Sequence, residues 1–350
     1  MKMTRWFTSA FLLAVLLLGL GELGARLFFA ADISGRFEYG YSPDAGFDER
    51  RDGVVKLFRA GGRRFHPQSF QRQRPDGTFR VFVIGDSVPR GPSFKGAYPW
   101  LLGKELQQCR VPAEAVNLAL PGYGARRCQV VLKKSLEFQP SLIILHVNDS
   151  NKYEDEREYR RSQEFKTWHP RNWPMKVFIF RRLYEAKVEK VFWPLVPEQI
   201  RAKFAARDAD AQVAASTDPE EVKARVQLAK ATTAASVALA RENRIPVLLI
   251  TQCRMWPDGS GSFYFEDHGL DALGQSLAGD GVYFLSMKDV FAHLPEGRAY
   301  FSDSGHLKES GHLLLAKAIV RKIREAHQQL GLTAFKMEAP FCHSERSEAK

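Results

Sequence analysis

From Phe79 onward, short apolar runs alternate with helix-length amphipathic segments, a pattern that predicts a parallel α/β sheet covered by helices. Residues 80–84 are the first expected strand, followed by a helix carrying Tyr98, Trp100, Leu101, Leu102 and Leu106. A second strand is expected at 115–118. The next helix is read over 124–138, where Val130, Val131 and Leu136 are spaced for one buried face. Further strands fall at 141–147, 246–250 and 282–285, and a helix over 312–329 closes the domain. No internal repeat is visible.

Before Phe79 the pattern is different. Lys2 and Arg5 precede an apolar run from Trp6 to Gly21, and apolar character resumes around Leu27 to Ala30. The run is shorter than the roughly 20 residues of a spanning helix, so a cleaved signal peptide competes with an uncleaved anchor. The anchor is favoured, because Glu22 and Arg26 can pair at i, i+4 and let the helix continue, and Phe28 and Phe29 make a poor cleavage site. Residues 1–31 are therefore expected to be a single-pass membrane segment, with the domain that follows outside the cytoplasm. Residues 32–78 hold Arg59, Arg63, Arg64, Arg72 and Arg74 among few periodic signals, and read as a juxtamembrane basic linker.

Two segments lie outside a minimal sheet. Residues 151–210 mix charges with Trp168, Trp173, Phe178 and Trp193, and read equally well as a lid or as a packed helical excursion. Residues 333–350 are polar and expected to be disordered, leaving 79–332 as the main domain.

The net charge of +11, from 51 Lys and Arg against 40 Asp and Glu, favours an anionic partner such as a lipid surface or acidic glycan. Nucleic acid is not expected, since no recognised binding module is present. The four cysteines show no C-x-x-C pair or zinc-like spacing, and no metal or organic cofactor is expected.

Four short elements carry candidate chemistry. Gly85-Asp86-Ser87 follows the first strand directly, which exposes a serine at the sheet edge where open α/β sheets bind ligands. Gly122 lies in the loop after the second strand, where a bare N–H can approach a ligand. Asn148, in His146-Val-Asn-Asp149, ends the third strand. Asp303-Ser-Gly-His306 precedes the last helix, and one helical turn separates an acid from a histidine. Each alone reads as a cap or turn. Their joint order, on one edge of one sheet, does not.

In this order and setting the chain resembles the SGNH (GDSL-like) hydrolase family over roughly residues 80–322, with supporting segments at Tyr98 to Leu102, Asn117 to Gly122 and His306 to Gly311. The resemblance implies a three-layer α/β/α sandwich and acyl-ester chemistry. It implies Ser87 as nucleophile, His306 as base, Asp303 as its orienter, and an oxyanion hole from Ser87, Gly122 and Asn148. Pro89 and Arg90 depart from the family's small hydroxylated residue, and His146 stands where glycine is usual; His146 reads as structural rather than as a second base. The expected function is esterase or acyl hydrolase on an acylated extracytoplasmic glycan or lipid. An O-acetyltransferase is the alternative within the same chemistry, and a non-catalytic envelope-binding module is the rival outside it.

Overall fold

The computed structural model describes residues 2–29, 39–60, 63–148, 151–166, 193–195, 197–199, 202, 218–258, 263–267, 269–294 and 296–332. The expected tail and most of the 151–210 segment lie outside the described residues. Helix α1 (Lys2–Phe29) leads the chain, with Trp6, Phe11, Leu12 and Leu16 exposed. Among the described residues, no helix is long and apolar enough to cross a membrane. The expected spanning anchor is thus without support: the apolar run stops at Glu22, short of a bilayer's requirement.

Strands β1 (Phe47–Glu49), β2 (Val54–Leu57), β3 (Arg59–Ala60), β4 (Arg63–Arg64) and β5 (Ser69–Gln71) follow. This is a correction to the linker reading of residues 32–78. The described residues of this segment, 39–60 and 63–78, form a three-stranded sheet, β1-β2-β5, and an antiparallel β3–β4 pair. Phe47, Val55, Leu57, Phe65 and Phe70 from it are buried in the same cluster as Phe82 and Phe138 of the main domain. The signal was lost because these strands are two to four residues long, too short for alternation to register.

The main sheet comprises β6 (Phe79–Ile84), β7 (Ala113–Asn117), β8 (Leu142–Val147), β9 (Val247–Thr251) and β12 (Val282–Ser286), all pairs parallel, in the order β12-β9-β8-β6-β7. Alternate residues of β6 serve opposite faces: Val81 and Val83 join one core cluster, Phe82 and Ile84 the other. Each such buried side chain stabilises the fold by about 1.5–3 kcal/mol. On the Val81 face, α3 (Tyr98–Gln108) packs against α9 (Glu309–Glu325). On the other, α4 (Ala125–Ser135) packs against α6 (Pro219–Glu242), with α7 (Leu270–Leu277) nearby. This is the expected three-layer α/β/α arrangement. The remaining elements are α2 (Ser87–Arg90), α5 (Lys152–Lys166), the antiparallel hairpin β10 (Arg254–Pro257) and β11 (Phe263–Glu266), and α8 (Met287–Phe291).

Arg80 fastens the N-terminal strands to the sheet. Its side chain is fully buried, pairs with Glu114 at 2.6 Å, and donates to the carbonyls of Phe138 at 2.7 Å and Gln71 at 2.8 Å. The guanidinium also lies 5.2 Å from the Phe70 ring centroid. A buried charge survives only with such complete pairing.

Candidate active site

Strand β6 is flanked by β7 on one side and β8 on the other, so the chain reverses its winding direction there and leaves a crevice at the strand's carboxyl end. Gly85 to Ser87 occupy that position. Gly85 has no room for a side chain: a Cβ would meet Pro89 Cγ at 2.6 Å and the His146 carbonyl at 3.0 Å. Asp86 caps α2, accepting from the Val88 N–H at 3.0 Å. Ser87 opens the turn, half-buried, with its hydroxyl directed at the opposite loop.

There Ser87 Oγ lies 2.8 Å from His306 Nε2, and His306 Nδ1 lies 2.8 Å from Asp303 Oδ2. With the Nδ1 proton donated to Asp303, Nε2 is left to accept from the serine hydroxyl. Asp303 Oδ1 also accepts from the N–H groups of Gly305 and His306, both at 2.8 Å. Partial burial pushes the Asp303 carboxyl up, but these two N–H groups and the imidazole outweigh it and hold the group below its ordinary range. The loop itself is pinned on both flanks. Phe301 and Leu307 are buried and bridge each other, Ser302 N–H donates to the His306 carbonyl at 2.9 Å, and Gln252 Nε2 donates to the Gly305 carbonyl at 3.1 Å.

Two further expected residues, Gly122 and Asn148, are tied to the segment that carries Ser87. The loop carrying Gly122 is tied to β6 by the Leu120 N–H on the Gly85 carbonyl, 3.1 Å. Gly122 has φ +74, a conformation that suits glycine, and Glu154 Oε2 fills the space a Cβ would need. Arg127 donates to the Gly122 carbonyl and pairs with Asp155 at 2.6 Å, and Asp155 in turn accepts from the Gly124 N–H at 3.0 Å and the Arg126 N–H at 2.8 Å. The first turn of α5 thus braces the Gly122 loop. Neither Ser87 N–H nor Gly122 N–H donates to a protein acceptor among the described residues.

Asn148 is tied to the turn that carries Ser87, its amide donating to Asp86 Oδ2, which also accepts from Asn151 Nδ2 at 2.9 Å. Asp86 is buried, with no salt bridge among the described residues. Burial pushes its carboxyl above the ordinary range, against the opposing pull of the Val88 N–H, the two amides and His306. One amide hydrogen of Asn148 is engaged in this contact. Sequence reasoning treated Asp86 only as a neighbour of Ser87 and missed Asn151, Arg127, Asp155 and Gln252, none of which has a local signature.

His146 is not a second base. It is buried beneath Gly85, its Nδ1 3.2 Å from Tyr98 Oη, and the Tyr98 ring stacks between His146 and His312 at 5.9 and 6.1 Å. Burial, and then the neighbouring His312, push His146 down to about 3. Burial, and then His306, push His312 down to about 4. Both are neutral at pH 7. Among the described residues no group of three or more His, Cys, Asp or Glu is placed to hold a metal ion. A cavity of about 920 Å³ opens elsewhere, between the N-terminal strands and β7, lined by Lys56, Phe58, Arg64, Phe94 and Glu114 among others and not by Ser87.

No protein-family model and no curated protein sequence matches the chain. Among solved structures it is similar to an acetyl xylan esterase, at 15% identity over 69% of this chain and 98% of that one, TM-score 0.42. It is similar also to an acetylxylan esterase from Geobacillus stearothermophilus, at 14% identity over 70% and 93%, TM-score 0.42. A GDSL-like lipase from Bacteroides thetaiotaomicron aligns at 10% identity over 71% and 89%, TM-score 0.36. Likenesses this distant carry no argument about activity, which rests on the site itself.

Proposed function

We propose that the chain is a serine esterase or acyl hydrolase that works through a Ser87 acyl-enzyme. The observation that carries this is the unbroken line from Ser87 Oγ through His306 to Asp303, both links 2.8 Å, at the carboxyl end of β6. His306 Nε2 takes the hydroxyl proton as Ser87 attacks the ester carbonyl, and returns it to the departing alcohol. Asp303 holds the tautomer and offsets the imidazolium charge. The tetrahedral oxyanion is received by the N–H groups of Ser87 and Gly122 and by the Asn148 amide, each donor contributing on the order of a hundredfold in rate. Water or a second hydroxyl then takes the acyl group from Ser87, giving hydrolysis or O-acyl transfer respectively.

The substrate we favour is an acylated glycan or lipid outside the cytoplasm. The exposed apolar side chains of α1 and the +11 charge support a position against an anionic lipid surface. Labelling by a fluorophosphonate probe tests the reading: the wild type is labelled at Ser87, and absence of labelling in the folded protein overturns it. Division of a labelled acetyl group between free acetate and acetylated glycan separates hydrolase from transferase.

A further inference from the structure

The N-terminal β3–β4 pair reaches the site. Arg63 Nη2 lies 3.7 Å from the position a Cβ on Gly122 would take, and three residues on, His66 Nε2 lies 2.8 Å from the Arg90 carbonyl oxygen. Segment 63–66 therefore runs along the crevice from the oxyanion loop to the nucleophile turn. Its neighbour across that turn is Arg90. Ser87 and Arg90 stand at i, i+3 in α2 and share one face of it.

These two guanidinium groups have no acidic partner among the described residues. Arg63 is exposed. Arg90 is half-buried, and its Nε is sealed from solvent without an acceptor. The carboxylates nearby are committed or turned elsewhere: Asp303 to His306, Asp86 to Asn148 and Asn151, and Glu154 lies over Gly122 without forming an ion pair to Arg63. A desolvated donor with no acceptor costs stability, and the cost is removed when a ligand supplies the acceptor. Guanidinium groups match carboxylate and phosphate oxygens in both charge and fork geometry.

We propose that Arg63 and Arg90 hold an anionic group of the substrate, a carboxylate or a phosphate, beside the ester that Ser87 attacks. This rests on the hydrolase reading and narrows its substrate class: the acylated molecule carries an acid close to its ester. It also assigns a role to the Arg90 departure from the family pattern and to an arm that the sequence placed outside the site.

The test is binding, which needs no turnover. Methyl glucuronoside against methyl glucoside, and glycerol 1-phosphate against glycerol, are titrated into the full chain by ligand-observed NMR, and the two pairs separate a carboxylate from a phosphate. At least one acid is expected to bind about tenfold or more tightly than its neutral counterpart. Arg63→Gln and Arg90→Gln should each lower that ratio several-fold, Arg90→Lys should retain part of it, and the double variant should abolish it. Arg63 is exposed, so its substitution tests the idea even if Arg90→Gln fails to fold. Equal binding of acid and neutral ligand overturns the proposal, as does a preference that survives the double variant. Equal loss in Arg64→Gln, on the cavity side of the same pair, also overturns it, since general surface charge would then suffice. Failure here is distinct from failure of the hydrolase reading, which Ser87 labelling reports.

Discussion

Acid should destabilise this protein well before its carboxylates titrate, because His146 and His312 are buried in neutral form. Their pKa values, about 3 and about 4, lie below the 6.5 of an exposed histidine. As pH falls below 6.5 the unfolded chain takes up two protons that the folded state refuses, so stability falls through the window from 6.5 down to each folded value. One pH unit is worth up to about 1.4 kcal/mol per group, and the two groups together remove about 4 kcal/mol between pH 7.5 and pH 5. That is a large share of the roughly 5–15 kcal/mol of a typical domain. Asp86 acts in the opposite sense: its carboxyl is raised by burial, so acid relieves it between its ordinary value and its raised one. Urea midpoints at pH 7.5, 6 and 5 give the wild-type slope, and His146→Phe, which keeps a ring against Tyr98, isolates the histidine contribution. The variant should lose about half of the pH dependence whatever its absolute stability. A flat midpoint between pH 7.5 and 5, or an equal slope in wild type and His146→Phe, refutes the reasoning.

Three further outcomes are expected. Asp86→Asn keeps the shape but turns a donor toward the Asn148 and Asn151 amides; chemical denaturation should show a loss of about 2–4 kcal/mol, and steady-state kinetics a fall in kcat as Asn148 loses its hold. Gly122→Ala, at φ +74 and with Glu154 in the way, should destabilise by about 1–2 kcal/mol and depress ester turnover on the order of a hundredfold; wild-type kinetics in this variant would remove Gly122 from the oxyanion hole. Arg80→Met strips Glu114 and two carbonyls of their buried partner and should cost about 3–5 kcal/mol, measured by urea unfolding.

The chain's architecture was largely legible because its strands are buried on both faces, and continuous apolar runs such as Leu142–Val147 stand out against amphipathic helices. Strand ends then pointed to Ser87, Gly122, Asn148, Asp303 and His306, and the structure gathers Ser87, Asp303 and His306 into one line, while Asn148 bonds to Asp86. The N-terminal strands were not legible: their pairing is non-local, and Arg80, which secures them, looks from sequence like an ordinary polar position in a strand. The Asp155–Arg127 brace was hidden for the same reason, since its partners are 28 residues apart and neither sits in a motif. Most of the 151–210 segment, read as a lid or a packed helical excursion, lies outside the described residues.

The central claim is that Ser87 and His306 act as one chemical unit. The direct measurement is kcat/KM on a small chromogenic acetate for Ser87→Ala, His306→Ala and the double variant, each confirmed folded by circular dichroism. Because an alcohol without its base is a poor nucleophile, each single substitution should already forfeit the covalent route, and the double variant should lose little more. Asp303→Asn should fall less, since His306 keeps its place but not its preferred tautomer. Wild-type turnover in folded Ser87→Ala, or losses that simply multiply in the double variant, would contradict the account.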